Sequence, residues 1–148
     1  MYALKSYSSV EKFLRYLVVK ALAGRINAIQ ALYDYIVSNE SPSVVAYRHG
    51  LSKHQLRGYA QRIIEKAGSE LKAKILLRIF IPYILNIKPL IILCDDGSFY
   101  CPYCNIRMDS RKVEDHVRSH RDLVTIVTRR ILMKVRERKY SIAPSIVQ

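Results

Sequence analysis

Four residues constrain this chain more than any other feature: two cysteines, Cys101 and Cys104, followed by two histidines, His116 and His120. Two residues separate the cysteines, eleven separate the pairs, and three separate the histidines. A short turn can direct both thiolates at one ion, and residues four apart lie on the same face of a helix. Four such ligands can surround a zinc ion tetrahedrally and leave no position for water. The spacing therefore predicts a closed, structural Zn²⁺ site, with coincidental spacing as the alternative.

Three apolar residues around the cluster extend the pattern. Phe99 lies two residues before the first cysteine, Met108 lies four after the second, and Val113 lies three before the first histidine. With them, residues 98–120 resemble the Cys-Cys-His-His zinc finger family. The resemblance implies a ββα fold in which these three side chains form a small core. The loop between the second cysteine and the first histidine is one residue shorter than is usual in the family, and Met108 replaces an aromatic residue, so the helix could be tilted.

The finger helix is poorly suited to reading bases. The resemblance implies base contacts from three helix positions, which fall here on Asp109, Lys112 and Asp115. Two carboxylates at these positions repel the phosphate backbone, so we expect the finger to be mainly structural or to dock on another surface. If it touches DNA, its expected phosphate contacts are Arg107, Arg111, Lys112 and Arg118.

The charge of the chain favours an anionic partner. Its 148 residues carry a net charge of +13, and such an excess attracts polyanions by releasing their counterions. Nucleic acid is the commonest polyanion, an anionic membrane surface is another, and a basic balance can also serve solubility alone. The most apolar stretch, residues 75–94, is interrupted by charged residues and prolines, which predicts core rather than a membrane span.

The cysteine count indicates a reducing compartment. Apart from the pair in the metal motif, only Cys94 remains. An odd and sparse set of cysteines argues against a disulfide framework, so we expect a cytoplasmic, intracellular protein. We expect Cys94 to be a buried strand thiol.

Apolar periodicity, caps and glycines predict a mostly α fold in two domains. The predicted helices of the first domain, residues 1–87, span residues 8–24, 27–38, 42–48, 53–66 and 69–82. In the second domain, residues 88–140, strands at 90–94 and 98–101 form a hairpin, and one long helix runs from Asp109 through both histidines to Lys139. Residues 141–148 are predicted to be a loose tail.

A second motif lies in residues 41–68. Gly50 separates two short helical patterns, as a residue of positive φ does in a tight turn, and the small Ala46 precedes it by four. Apolar residues flank this junction at Val45, Leu51, Leu56 and Tyr59. Together with the preceding helix, residues 25–67 resemble the helix-turn-helix of bacterial and archaeal repressors and of recombinase or transposase DNA-binding domains. The alternative is an amphipathic helix with a solvated polar face.

This resemblance implies that the helix after Ser52 enters the major groove of double-stranded DNA. Arg57 can donate two hydrogen bonds to guanine, and a glutamine can pair in the same way with adenine. Arg48 and Arg62 suit phosphates. The side chains expected to face the duplex are Ser52, Lys53, His54, Gln55, Arg57 and Gln61.

The C-terminal helix carries an apolar stripe from Leu123 to Val135, opposite a face rich in arginine and lysine. The stripe either packs on the chain's own helix near residues 71–85 or meets a second copy. Helix-turn-helix proteins often read two half-sites as two-fold dimers, so we favour a homodimer.

The sequence as a whole predicts a small DNA-binding protein, a sequence-specific transcription regulator similar in style to small regulators of archaea and their viruses. It contains no nucleophile paired with a general base, no glycine-rich phosphate-binding loop and no paired general acid and base, so we expect no enzyme activity. Three alternatives stay open: a non-specific DNA-packaging protein, a protein-interaction adaptor, and an accessory subunit of a recombination or replication complex.

Overall fold

The structure, a computed structural model, describes residues 8–147, with side chains for residues 8–138. It is mostly helical, with a small three-stranded antiparallel sheet and a long C-terminal helix. In chain order the elements are α1 (Ser9–Leu22), α2 (Ile26–Leu32) continuing as a π-helical turn (Tyr33–Val37), α3 (Pro42–Arg48), α4 (Lys53–Ala67), α5 (Glu70–Ile84), β1 (Ile92–Leu93), β2 (Phe99–Cys101), β3 (Ile106–Met108), a 3-10 turn (Ser110–Lys112), α6 (Val113–Ser119) and α7 (Arg121–Val147).

The helices of the first half begin and end where caps and glycines predict. The hydroxyl of Ser8 accepts a hydrogen bond from the Glu11 amide at the start of α1 (3.1 Å), and Gly24, at φ +81°, follows its end. At α4, the Ser52 hydroxyl accepts from the Gln55 amide while the Gln55 side chain accepts from the Ser52 amide. These reciprocal bonds satisfy two amides that the first turn of a helix leaves unpaired. Pro82 lies inside the last turn of α5, which ends two residues later.

The C-terminal half differs from the prediction in four places. Cys94, expected to be a buried strand thiol, lies just after β1 and is only partly buried. The sheet orders β1-β2-β3, and its third strand, Ile106–Met108, was not predicted. The single long helix is two helices, because His120 adopts φ −82° and ψ 62°, outside the helical region. α7 continues to Val147, so the backbone of residues 141–147 is helical where a loose tail was predicted; Gln148 lies outside the described residues.

Helix α1 is the centre of the hydrophobic core. Its apolar face, including Phe13, Leu14 and Leu17, is fully buried among α2, α4, α5, α6 and α7. The core cluster includes residues on both sides of the predicted domain boundary at residue 87, with Cys101, Val113 and other residues of the second half in it. The backbone amide of Leu90 also donates to the carbonyl of Leu22 at the end of α1 (2.8 Å). The metal cluster is therefore built onto the helical half.

The apolar stripe of α7 packs within the chain, against α1 and α5. Val124 and Ile131 are buried, and Leu123 and Val127 are partly buried. Packing on the chain's own helix near residues 71–85 was the alternative to a homodimer in the sequence analysis. Among the described residues, no helix has the length and apolar content needed to cross a membrane.

Candidate metal centre and basic helix face

The structure brings the four predicted ligands together. The thiol sulfurs of Cys101 and Cys104 and ring nitrogens of His116 and His120 all lie within 4.8 Å of one another. His120 Nε2 is central: it lies 3.6 Å from Cys101 Sγ, 3.4 Å from Cys104 Sγ and 3.3 Å from His116 Nε2. The helix break at His120 therefore coincides with the residue that touches all three other ligands.

These separations match what a tetrahedral ion needs. With zinc–sulfur bonds of about 2.3 Å and zinc–nitrogen bonds of about 2.0–2.1 Å, a tetrahedron places a sulfur and a nitrogen about 3.5 Å apart and two nitrogens about 3.3 Å apart. The observed sulfur–nitrogen distances are 3.6 and 3.4 Å, and the nitrogen–nitrogen distance is 3.3 Å. The donor set of two thiols and two imidazoles is therefore compatible with a metal ion such as zinc.

Local backbone geometry explains how the two thiols converge. Asn105 adopts φ +61°, a left-handed conformation that asparagine tolerates better than most residues. Its amide donates to the Cys101 carbonyl (2.8 Å), which closes the turn that contains both cysteines. On the other side, Val113 and Val117 of α6 are fully buried and fix the helix that carries His116. Phe99 and Met108, opposite one another on β2 and β3, pack against the core.

The pKa shifts at the cluster favour neutral side chains when no ion is bound. Desolvation, and next the neighbouring Cys101, raise the pKa of the Cys104 thiol above its ordinary value. Burial, and next His120, lower the pKa of His116, which favours the neutral imidazole that can ligate. Two adjacent thiolates repel one another, and a divalent cation between them removes that repulsion. A bound cation would therefore shift Cys104 toward the thiolate, against the direction that desolvation sets.

A buried ion pair joins the cluster's helix to α1. Lys20, only 1% exposed, directs its Nζ at both carboxylate oxygens of Glu114, each at 2.9 Å. Glu114 lies on α6, two residues before the ligand His116. Arg25 adds a contact to the same carboxylate at 3.1 Å, and the Lys20 ammonium lies 3.8 Å from the centre of the Tyr59 ring on α4. Burial lowers the pKa of Lys20, and its bond to Glu114 opposes that effect.

Sequence reasoning did not identify Lys20, although its position carried a signal. It lies seven residues after Phe13 and three after Leu17, both of which are on the apolar face of α1. This spacing places a lysine on the buried side of the helix. A lysine there needs a buried counter-charge, but nothing in the sequence indicates that the counter-charge is Glu114, which lies 94 residues away along the chain.

The turn between α3 and α4 has the geometry expected at Gly50. Gly50 adopts φ +70°, its amide donates to the Tyr47 carbonyl, and the Leu51 amide donates to the Ala46 carbonyl (2.8 Å). This pair of bonds ends α3 as a Schellman motif. Val45, Ala46 and Leu56 are buried beneath the junction. The turn therefore holds α4 at a fixed angle to α3.

The outer face of α4 is exposed. The side chains that are exposed there and form no ion pair with another described residue are Lys53, His54, Arg57, Gln61 and Arg62. Ser52 and Gln55, also predicted as DNA contacts, are exposed but bond to one another in the cap. Arg48 is occupied elsewhere, because its guanidinium pairs with Asp34 (2.9 Å) and Glu40. Asp34 lies in the π-helical turn and also contacts His49 Nε2 at 2.7 Å.

The predicted contacts on the finger are exposed, and most of them pair locally. Arg107 lies 3.4 Å from Asp96, and Arg111 lies 3.5 Å from Asp109. Asp109 caps the 3-10 turn, and the Arg111 amide lowers the pKa of its carboxyl. Arg118 pairs with Asp115 at 2.6 Å and with Glu114 at 3.6 Å. Lys112 is exposed and forms no ion pair within the described part of the chain. The acidic positions of the finger helix thus serve as caps and local ion-pair partners.

The comparisons with known proteins give no match: no family model, curated protein or solved structure is similar enough to this chain to assign it to a family.

Proposed function

We propose that this protein is a sequence-specific DNA-binding regulator that reads the major groove with α4. The observation that carries the proposal is the exposed face of α4, where basic and amide side chains follow a tight Gly50 turn. Such a face supplies donors for base edges and cations for phosphates. We assign base contacts to Arg57 and Gln61, and phosphate contacts to Lys53 and Arg62. The net charge of +13 supplies the sequence-independent attraction.

We further propose that Cys101, Cys104, His116 and His120 hold a structural Zn²⁺ ion in a ββα finger built from β2, β3 and α6. When bound, the ion neutralises the thiolates and cross-links the strands to the helix. Since the four ligands fill a tetrahedron, the proposed role is architectural. Within this arrangement, Glu114 on α6 holds Lys20 of α1 in place, and Lys20 contacts Tyr59 of α4. The finger therefore supports the helix that we assign to the groove.

Dimer formation also belongs to the proposal. A two-fold regulator needs a surface on each copy, and most of the α7 stripe is covered by α1 and α5. On the described part of α7, the exposed large apolar side chains are Ile126 and Met133. We expect a dimer formed through α7 to bury these two.

Selection of binding sites from a random duplex pool, at a stated salt concentration, tests the proposal directly. A regulator enriches a motif, and a dimeric regulator enriches a palindrome with half-sites about one helical turn apart. Retention without enrichment would instead favour the packaging alternative, and failure to retain any duplex would favour the adaptor.

Arg57→Ala sharpens this test. We expect it to weaken binding to the selected site by about 1–3 kcal/mol and to relax the choice of one base pair. Arg78→Ala is the matched control, because Arg78 is an exposed arginine on α5. Equal losses for the two variants, or equal losses on selected and random duplexes, would contradict base reading by Arg57.

A further inference from the structure

A basic cleft lies between α1 and the junction of α6 with α7. It encloses about 460 Å³, within the size range of sites for small molecules. The five cationic side chains that line it are Lys12, Arg15, Lys66, Arg118 and Arg121. Glu114 is the one carboxylate among the described lining residues. None of the cleft residues was predicted from the sequence to contact DNA except Arg118.

Among the residues that the structure describes, three of the five cations of this cleft have no carboxylate partner. The carboxylate of Glu114 is already bound by Lys20 and Arg25. Arg118 has a partner in Asp115, and the Arg15 guanidinium donates to the hydroxyl of Thr125 (3.0 Å). Among the described residues, no carboxylate forms an ion pair with Lys12, Lys66 or Arg121. An anion that enters the cleft therefore meets cations whose mutual repulsion it relieves.

The cationic surface continues from the cleft toward α4. A neighbouring depression shares Lys12 and Lys66 with the cleft and adds Arg62, together with Glu65. Lys66 and Arg62 are on α4, one turn apart, so the cleft borders a flank of the helix proposed to enter the groove.

The composition of the cleft identifies the class of anion. Three of its five cations are arginines, whose planar forks bind phosphate oxygens in pairs. Lys12, Lys66 and Arg121 carry three positive charges that a single carboxylate ligand would not balance, whereas phosphate groups carry more charge and more acceptor oxygens. We infer that this cleft is a binding site for phosphate groups, supplied either by a nucleic-acid backbone or by a free phosphorylated molecule. Only the nucleic-acid source depends on the proposed function.

The experiment compares two charge reversals in the full-length, zinc-loaded chain. Lys12→Glu with Arg121→Glu changes two exposed cations of the cleft. Arg78→Glu with Arg129→Glu changes two exposed cations elsewhere and alters the net charge by the same amount. Calorimetric titration with inorganic pyrophosphate measures one source, and anisotropy of a labelled random-sequence duplex measures the other. Thermal unfolding and zinc content show whether each variant folds. A further variant, Lys12→Gln with Arg121→Gln, removes the two positive charges without adding negative ones.

We expect the cleft variant to bind pyrophosphate about tenfold more weakly than the control, because Lys12 and Arg121 are exposed and each solvent-exposed ion pair contributes only a few-fold to affinity. If duplex binding also falls beyond the control, and its salt slope becomes shallower by about 2, the phosphates are those of a nucleic acid. A loss for pyrophosphate alone identifies a free phosphorylated ligand, and a loss for duplex alone identifies the backbone. Equal behaviour of cleft and control variants with both probes overturns the inference. Binding of pyrophosphate without any duplex binding would overturn the proposed function and leave the cleft assignment standing.

Discussion

At the scale of single residues, Gly50 and Gly58 have opposite backbone requirements. Gly50 has φ +70°, whereas Gly58 lies inside α4 without a positive φ, and a Cβ would meet nothing within 4 Å at either position. Gly50→Ala should therefore destabilise the protein by about 1–2 kcal/mol through left-handed strain. Gly58→Ala should stabilise it by about 0.5–1 kcal/mol through helix propensity. Urea unfolding of both variants measures the pair, and a loss of stability in both would contradict this assignment.

Glu114 is the carboxylate that balances the charge of Lys20. Glu114→Gln leaves the ammonium of Lys20 buried without a counter-charge, which typically costs about 3–5 kcal/mol. Asp115→Asn is the control, since its partner Arg118 is half exposed and such surface pairs are worth about 0–1 kcal/mol. Denaturant unfolding with zinc present should separate the two variants. Similar small losses would show that Lys20 finds another partner.

These residues also mark what sequence could predict. The four ligands and the Gly50 turn were predictable because their geometry depends on spacing within short stretches of chain, residues 101–120 for the ligands and 45–56 for the turn. The pairing of Lys20 with Glu114 was not, since it depends on packing between α1 and α6 across 94 residues. The sequence also suggested Arg48 as a phosphate contact, although Asp34 and Glu40, which lie 14 and 8 residues away along the chain, bind it in the folded protein.

At the scale of elements, the β2-β3 hairpin, α6 and the start of α7 meet at the four-ligand cluster. The sequence predicted the ligands but neither β3 nor the break at His120, because helical periodicity continues through that residue and only the convergence of ligands marks the break. These strands have three residues each and α6 has seven, too few for stability without a cross-link.

Cys101→Ser should therefore abolish stoichiometric zinc binding and unfold this region, because zinc binding is worth about 10–16 kcal/mol in finger peptides. Cys94→Ser is the matched control, since Cys94 is the one cysteine outside the cluster. A chromophoric chelator assay gives the zinc content, and circular dichroism gives the melting midpoint. A Cys101→Ser protein that binds zinc and melts like the Cys94→Ser protein would contradict the assignment of the site.

At the scale of the whole molecule, α1 connects the two segments that the sequence separates near residue 87. Apolar periodicity predicted the helices of the first segment, but not that α1 packs against helices of both segments. That arrangement requires contacts between distant parts of the chain, such as Arg25 donating to the Ser110 carbonyl (2.8 Å) and Leu90 donating to Leu22. The stability of each predicted domain can therefore depend on the other through α1.

Removal of the metal should lower the local stability of α1, because Lys20 of α1 is paired with Glu114 of α6. If chelation releases α6, Glu114 moves away and a fully buried ammonium on α1 loses its carboxylate. Hydrogen exchange of the α1 amides near residues 17–22 should then accelerate by about 100-fold, equivalent to about 3 kcal/mol. Amides of α3, which lies away from this pair, should change less and serve as the internal control. Unchanged exchange in α1, while α6 loses its protection, would mean that the helical segment is stable without the finger and that the two segments are energetically independent.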